Sequence, residues 1–200
     1  MARRVGIWGG AFDPIHMGHL ILAQEALEAC QLDTLVWVPY GDPPHKAGPV
    51  ASTADRVSMI ELAIDGADAF ELSKAEVDRP GKSYTARTLE LVREEGKAED
   101  HLFLLIGADN AVDFKNWFEP DRVLELADVV VFSRPGISLS KVSSEYSEKM
   151  HFLNTPMFEV SSTAIRKRRA AGASIRYWVP ESVRLFIESN GLYSRDGLRG

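Results

Sequence analysis

The chain reads as α/β: a Rossmann-like, three-layer α/β/α fold around a mostly parallel sheet. Three observations predict it. Short, nearly continuous apolar runs recur along the 200 residues, as strands covered on both faces require. Helical patterns separate these runs, giving the βαβα order that builds a parallel sheet. The first run, Val5-Gly6-Ile7-Trp8, passes through Gly9-Gly10 directly into a helical pattern. Ligands of such folds bind beyond the carboxyl ends of strands, where the strand order reverses, and this turn lies at the end of strand one.

The elements follow in order. Strands are predicted at 3–8, 34–39, 70–73, 101–106 and 128–133. Helices are predicted at 16–31, 53–64, 84–95, 121–126, 162–171 and 180–189. The runs Leu35-Val36-Trp37-Val38 and Val129-Val130-Val131-Phe132 have the character of central, buried strands. Two loops stand out. Residues 40–49 are long and rich in Pro and Gly, and 133–140 follow the fifth strand. No internal repeat or low-complexity stretch interrupts the pattern. Residues 1–200 therefore read as one domain, whose helical part at about 160–195 carries a second motif.

Residues 9–19, Gly-Gly-Ala-Phe-Asp-Pro-Ile-His-Met-Gly-His, carry the chemistry. Gly9 and Gly10 permit positive φ and let backbone approach a ligand. A strand-to-helix turn leaves N–H groups unpaired, and with the helix dipole they attract anions. Asp13 and Pro14 suit a helix entry. His16 and His19 lie three apart and so share a face, with Gly18 between them to admit a ligand. Beside phosphates an imidazole is driven toward its cation, which stabilises a departing pyrophosphate. A His-x-x-His pair is also half a zinc site, but the remaining partners are missing. Cys30 is the single cysteine, placed in a helix interior, and His45, His101 and His151 are scattered.

Bulk composition excludes several classes. The chain is 45% hydrophobic and 26% charged with a net charge of −6, which argues against a general nucleic-acid binder. In the basic run Arg166-Lys167-Arg168-Arg169, Lys167 and Arg168 read as a solvated helix face. One cysteine excludes an intrachain disulfide framework and fits a reducing compartment. Neither a signal-peptide core nor a span of about 20 apolar residues is visible, so a cytoplasmic protein is expected. Gly81-Lys82-Ser83 imitates the end of a P-loop, but position 76 is Glu where that motif needs glycine.

A second constellation, Ser161-Ser162-Thr163-Ala164-Ile165-Arg166, opens a late helix. Ser and Thr are good N-caps. The same hydroxyls and N–H groups, with Arg166, can also wrap phosphates.

The first motif resembles the (T/G)xFDPxHxGH signature of a nucleotidyltransferase superfamily that joins a nucleoside triphosphate to a phosphate-bearing acceptor. The second resembles that superfamily's late (I/V)SSTxIR segment. Further matches are Pro43-Pro44-His45-Lys46, Ser83-Tyr84-Thr85, Gly107-Ala108-Asp109 with Trp117, Ser133-Arg134-Pro135-Gly136, and Asn190-Gly191-Leu192-Tyr193. Together they are similar to the bacterial nicotinate-mononucleotide adenylyltransferases across residues 3–193.

That resemblance implies adenylyl transfer from ATP to nicotinate mononucleotide, releasing pyrophosphate and deamido-NAD, a step of NAD biosynthesis. It implies a site for each substrate. Gly9, Gly10, Ala11 and Phe12 would line the floor by backbone, and His16 and His19 would hold ATP phosphates. Gly107 and Asp109 would meet the adenosine side. Lys46 and Arg134 would meet phosphate charge, and Ser162, Thr163 and Arg166 would close over the β- and γ-phosphates. Tyr84 and Thr85 would offer N–H groups to the nicotinate carboxylate, and Trp117 would stack on the pyridinium. Mg²⁺ is expected on the ATP phosphates rather than in a protein cage.

Two positions depart from the pattern. Ala11 stands where relatives often carry Thr, and Tyr40, on the acceptor side, stands where they carry Asn. The alternatives are a nicotinamide mononucleotide or phosphopantetheine acceptor, or a non-catalytic nucleotide-binding regulator. The phosphopantetheine relatives usually carry Thr at the place of His16, and cytidylyltransferases end in an RTxGIST-like motif absent here. No nucleic-acid polymer or membrane partner is expected, and a homo-oligomer is compatible with the sequence.

Overall fold

Six strands pair in parallel in the order β3-β2-β1-β4-β5-β6, in a computed structural model that describes residues 2–41, 50–79, 81–96, 99–133, 136–156 and 159–194. They are β1 (Arg4–Gly10), β2 (Thr34–Pro39), β3 (Phe70–Leu72), β4 (His101–Gly107), β5 (Asp128–Phe132) and β6 (Met150–Leu153). The chain winds outward from β1 to β3, then returns to the middle and winds the other way from β4 to β6. The strand order therefore reverses between β1 and β4, and a crevice opens beyond their carboxyl ends.

The helices are α1 (Met17–Ala29), α2 (Thr53–Ile64), α3 (Thr85–Glu95), α4 (Ala108–Asp113), α5 (Pro120–Leu126), α6 (Ser144–Ser147), α7 (Ser162–Ala170) and α8 (Glu181–Ser189). Strand residues alternate between two cores, as a period of two requires. Trp8, Leu35, Trp37, Phe103, Leu105, Val130 and Phe132 pack toward α1, α2, α7 and α8. Val5, Ile7, Val36, Val38, Leu102, Leu104, Ile106, Val129 and Val131 pack toward α3, α4 and α5. The expected three-layer α/β/α architecture is thus present. Fully buried Trp37 stacks on Trp8 at 5.2 Å and 16°. Each such ring removes about 200 Å² from water, an upper estimate of about 5 kcal/mol.

The five predicted strands form, with small shifts of their ends. β1 runs on to Gly10, so Gly9 and Gly10 are strand residues paired with Val38 and Pro39. Neither has positive φ, which falls instead on Phe12 at 49°. β6 was not foreseen, nor was α4, which starts directly after β4. α2 matches its prediction, and Ser52 caps it by accepting the Asp55 N–H at 3.1 Å. The predicted helix starts at His16, Tyr84 and Pro180 are in fact N-cap positions. Cys30 is the buried C-cap of α1 rather than an interior residue.

Candidate active site

Asp13 and Pro14 do not open α1. They lie in the turn before it, and His16 is its N-cap. The two histidines cap one another. His16 Nδ1 accepts the His19 N–H at 3.3 Å, and His19 Nδ1 accepts the His16 N–H at 3.2 Å. Their rings stack at 3.6 Å and 18°. The shared face read from their spacing is therefore real, but it arises from reciprocal capping. His19 also meets Trp8 and Phe12 edge-on, at 5.7 and 5.2 Å. Gly18 serves the histidines directly, because a Cβ there would stand 3.2 Å from His16 Nδ1.

The second motif docks on the first. Ser161 caps α7 by accepting the Ala164 N–H at 3.2 Å. Ser162 Oγ donates to the Pro14 carbonyl at 2.9 Å. Arg166 donates to the Asp13 carbonyl at 2.6 Å and lies 3.6 Å from the Asp13 carboxylate. Thr163 Oγ1 accepts from Arg166 at 3.3 Å. Two motifs far apart in sequence thus meet at one point beside α1's N-terminus. Arg168 is less free than a solvated face implies. It donates to the Ser174 carbonyl and lies 4.7 Å over Trp178.

Asp13 is the hub that sequence reasoning took for a helix entry. It is 3% exposed, and its carboxylate accepts the N–H groups of Val50 and Ala51 at 2.8 and 3.1 Å and the Tyr193 hydroxyl at 2.6 Å. Burial and the neighbouring Asp13 charge push the Tyr193 phenol far up. Arg56, 1% exposed, was also missed. It donates to the carbonyls of Ala11 at 2.9 Å and Tyr40 at 2.7 Å, joining the ends of β1 and β2. Burial lowers its guanidinium pKa.

The acceptor-side residues assemble on the α3 face of the sheet. A cleft is lined by Gly9, Tyr40, Glu76, Thr85, Asn110 and Trp117. Its cavity volume is about 20 Å³, room for about one water. Tyr84 is the N-cap of α3, with its ring tilted on Phe118 at 4.6 Å, while Trp117 packs on Phe114 at 5.0 Å. Burial, with Glu76 and Asp109 adding negative charge, pushes the Tyr40 phenol up to about 12. Gly107 caps α4 and Asp109 stands in its first turn. The structure therefore brings Ser162, Thr163 and Arg166 to the turn before the His16–His19 pair, and Gly9, Tyr40, Thr85 and Trp117 to one cleft. Lys46 and Arg134 lie outside the described residues.

A doubly wound sheet whose two motifs meet beside the N-terminus of α1 is the setting in which comparison with known proteins places a nucleotidyltransferase. The chain belongs to the cytidylyltransferase-like family, whose model matches residues 7–168, and within it to the nicotinate-nucleotide adenylyltransferases. It is 41% identical over 195 residues to the probable nicotinate-nucleotide adenylyltransferase of Roseiflexus sp. (strain RS-1), covering 94% of this chain and 97% of that protein. It is 42% identical over 190 residues to that of Thermus thermophilus, covering 95% and 99%. In fold it is similar to the Plasmodium falciparum nicotinic acid mononucleotide adenylyltransferase complexed with NaAD, with a TM-score of 0.79 at 17% identity over 96% of this chain and 97% of that one.

Proposed function

We propose that this protein transfers the adenylyl group of ATP to nicotinate mononucleotide, forming deamido-NAD and pyrophosphate in NAD biosynthesis. One observation carries the reading. Ser162 and Arg166 of α7 bond the Pro14 and Asp13 carbonyls, beside the stacked His16–His19 pair. This arrangement suits a triphosphate laid across α1's N-terminus, with the acceptor over the Tyr40–Trp117 cleft. The relatives' names supply the acceptor.

An acceptor 5′-phosphate oxygen attacks the α-phosphorus of ATP in line. The new P–O bond forms as the bond to the β-phosphate oxygen breaks, and pyrophosphate carries away the electron pair. A phosphate nucleophile is already ionised at neutral pH, so no general base is required. Catalysis is positioning plus charge stabilisation. In this reading His16, His19 and Arg166 hold the departing phosphates, and Lys46 and Arg134 add charge from their loops. Thr163 and Ser162 order the start of α7, and Gly107 and Asp109 meet the adenosine. The first amides of α3, after Tyr84, receive the ring carboxylate, and Trp117 covers the pyridinium.

Mg²⁺ fits this site as a passenger on ATP. The Asp13 carboxylate is engaged by Val50, Ala51 and Tyr193, so phosphate oxygens and water would supply its ligands. Its chemistry there is neutralisation of triphosphate charge. We place the reaction in the cytoplasm, within one domain over residues 1–200. Among the described residues no helix is long and apolar enough to cross a membrane.

The test is pyrophosphate release from ATP and Mg²⁺ with nicotinate mononucleotide, nicotinamide mononucleotide and phosphopantetheine in parallel. Strong release with the first supports the reading. Release mainly with another acceptor overturns the acceptor assignment, and release with none overturns the enzymatic one.

A further inference from the structure

Glu76 follows β3 in a loop, yet it is 8% exposed and lines the same cleft as Tyr40, Thr85, Thr88 and Trp117. Its Oε1 faces the Thr88 hydroxyl of α3 at hydrogen-bond distance. Thr88 is the donor, and its hydroxyl also lies 3.1 Å from the Tyr84 carbonyl, which accepts the Thr88 N–H at 3.0 Å. Among the described residues Oε2 is enclosed and makes no hydrogen bond of ordinary geometry.

Burial pushes the Glu76 carboxyl up. The Ser83 hydroxyl, Thr88 hydroxyl, Gly41 N–H and Arg79 charge oppose this without reversing it. Among the described residues, the charged and titratable groups around it are Arg79 on its own loop and Tyr40 at the end of β2, with Asp109 of α4 adding charge at Tyr40.

We propose that Glu76 is a specificity-determining residue of this site, its carboxyl setting the discrimination between a carboxylate and a carboxamide on the acceptor's ring. The proposal rests on the acceptor reading above. Neutral Glu76 leaves a ring carboxylate unopposed beside the first amides of α3. Ionised Glu76 repels that carboxylate and spares the uncharged carboxamide. Preference for the carboxylate acceptor therefore falls as pH rises through the Glu76 titration.

The experiment measures kcat/KM for nicotinate and nicotinamide mononucleotide side by side, from about pH 5.5 to about pH 9, in wild type and Glu76→Gln. The ratio cancels the ionisations that the two acceptors and ATP share. Wild type is expected to lose about tenfold of its carboxylate preference across this range. Glu76→Gln is expected to hold the low-pH preference throughout. A flat wild-type ratio overturns the proposal without any variant, and so does a Glu76→Gln profile that keeps the wild-type slope. Absence of turnover with either acceptor overturns the acceptor reading itself, a distinct result.

Discussion

At the end of the site proposed for phosphate, the polar groups are held by partners within and across segments. Asp13 grips Val50, Ala51 and Tyr193, Arg166 grips the Asp13 carbonyl, and the histidines cap each other. At the end proposed for the acceptor, the cleft has room for about one water and is lined by Tyr40 and half-buried Trp117, while Tyr84 packs on Phe118, which is 51% exposed. The first region is charge on a rigid backbone scaffold. The second is a closed seam between β2, α3 and α4, which the proposed acceptor ring would part. A polyanion rewards fixed donors, because preorganised charge needs no rearrangement during the reaction. A flat aromatic ring rewards surfaces that close around it.

Four measurements break or sharpen this contrast. The largest effect is expected from His19→Ala, which removes a fixed donor at the phosphate end. Turnover should fall about 10²–10³-fold by pyrophosphate release while the circular dichroism spectrum is unchanged. Unaltered turnover would remove His19 from the phosphate site. Next is Arg56→Ala, since Arg56 is the joint between the two regions. Orphaning the Ala11 and Tyr40 carbonyls should cost about 3 kcal/mol by urea denaturation and raise KM for ATP and acceptor together. A change in one KM alone would show that the ends are not coupled through it.

Trp117→Ala should act on one end only. KM for the acceptor is expected to rise about tenfold while KM for ATP holds, as loss of a cation–π cover predicts. The smallest effect concerns stability. The folded pKa of Glu76 is raised, so its contribution is complete below the ordinary Glu pKa and is lost as pH rises through the folded value. Glu76→Gln stays neutral, so its melting temperature should gain on wild type as pH rises above the ordinary Glu range. A difference independent of pH would show that Glu76 does not titrate there.

The sequence was most legible where the signal is local. Five strands announced themselves as apolar runs because both faces are covered. β6 did not, because it is an edge strand of four residues on which Phe152 remains 38% exposed. The two motifs were readable from residue order and from their resemblance to a family signature, and they meet beside the N-terminus of α1. Arg56 and Glu76 carried no such mark, and Asp13, inside the first motif, was read only as a helix entry. The partners that define Asp13 and Arg56 come from other segments: Tyr193 is 180 residues from Asp13, and Ala11 is 45 from Arg56. Local spacing marked the two motifs, whereas the residues that brace them are defined by tertiary contact.

The Asp13–Tyr193 bond has a consequence for how the protein is made. At about 5–20 residues per second, Asp13 is synthesised about 10–40 s before the hydroxyl that completes its shell. Arg166, 153 residues behind Asp13, comes late as well. A nascent chain halted after β6 already contains every strand of the sheet, but neither Arg166 nor Tyr193. The first motif to be translated is thus among the last to have its hydrogen-bond shell completed.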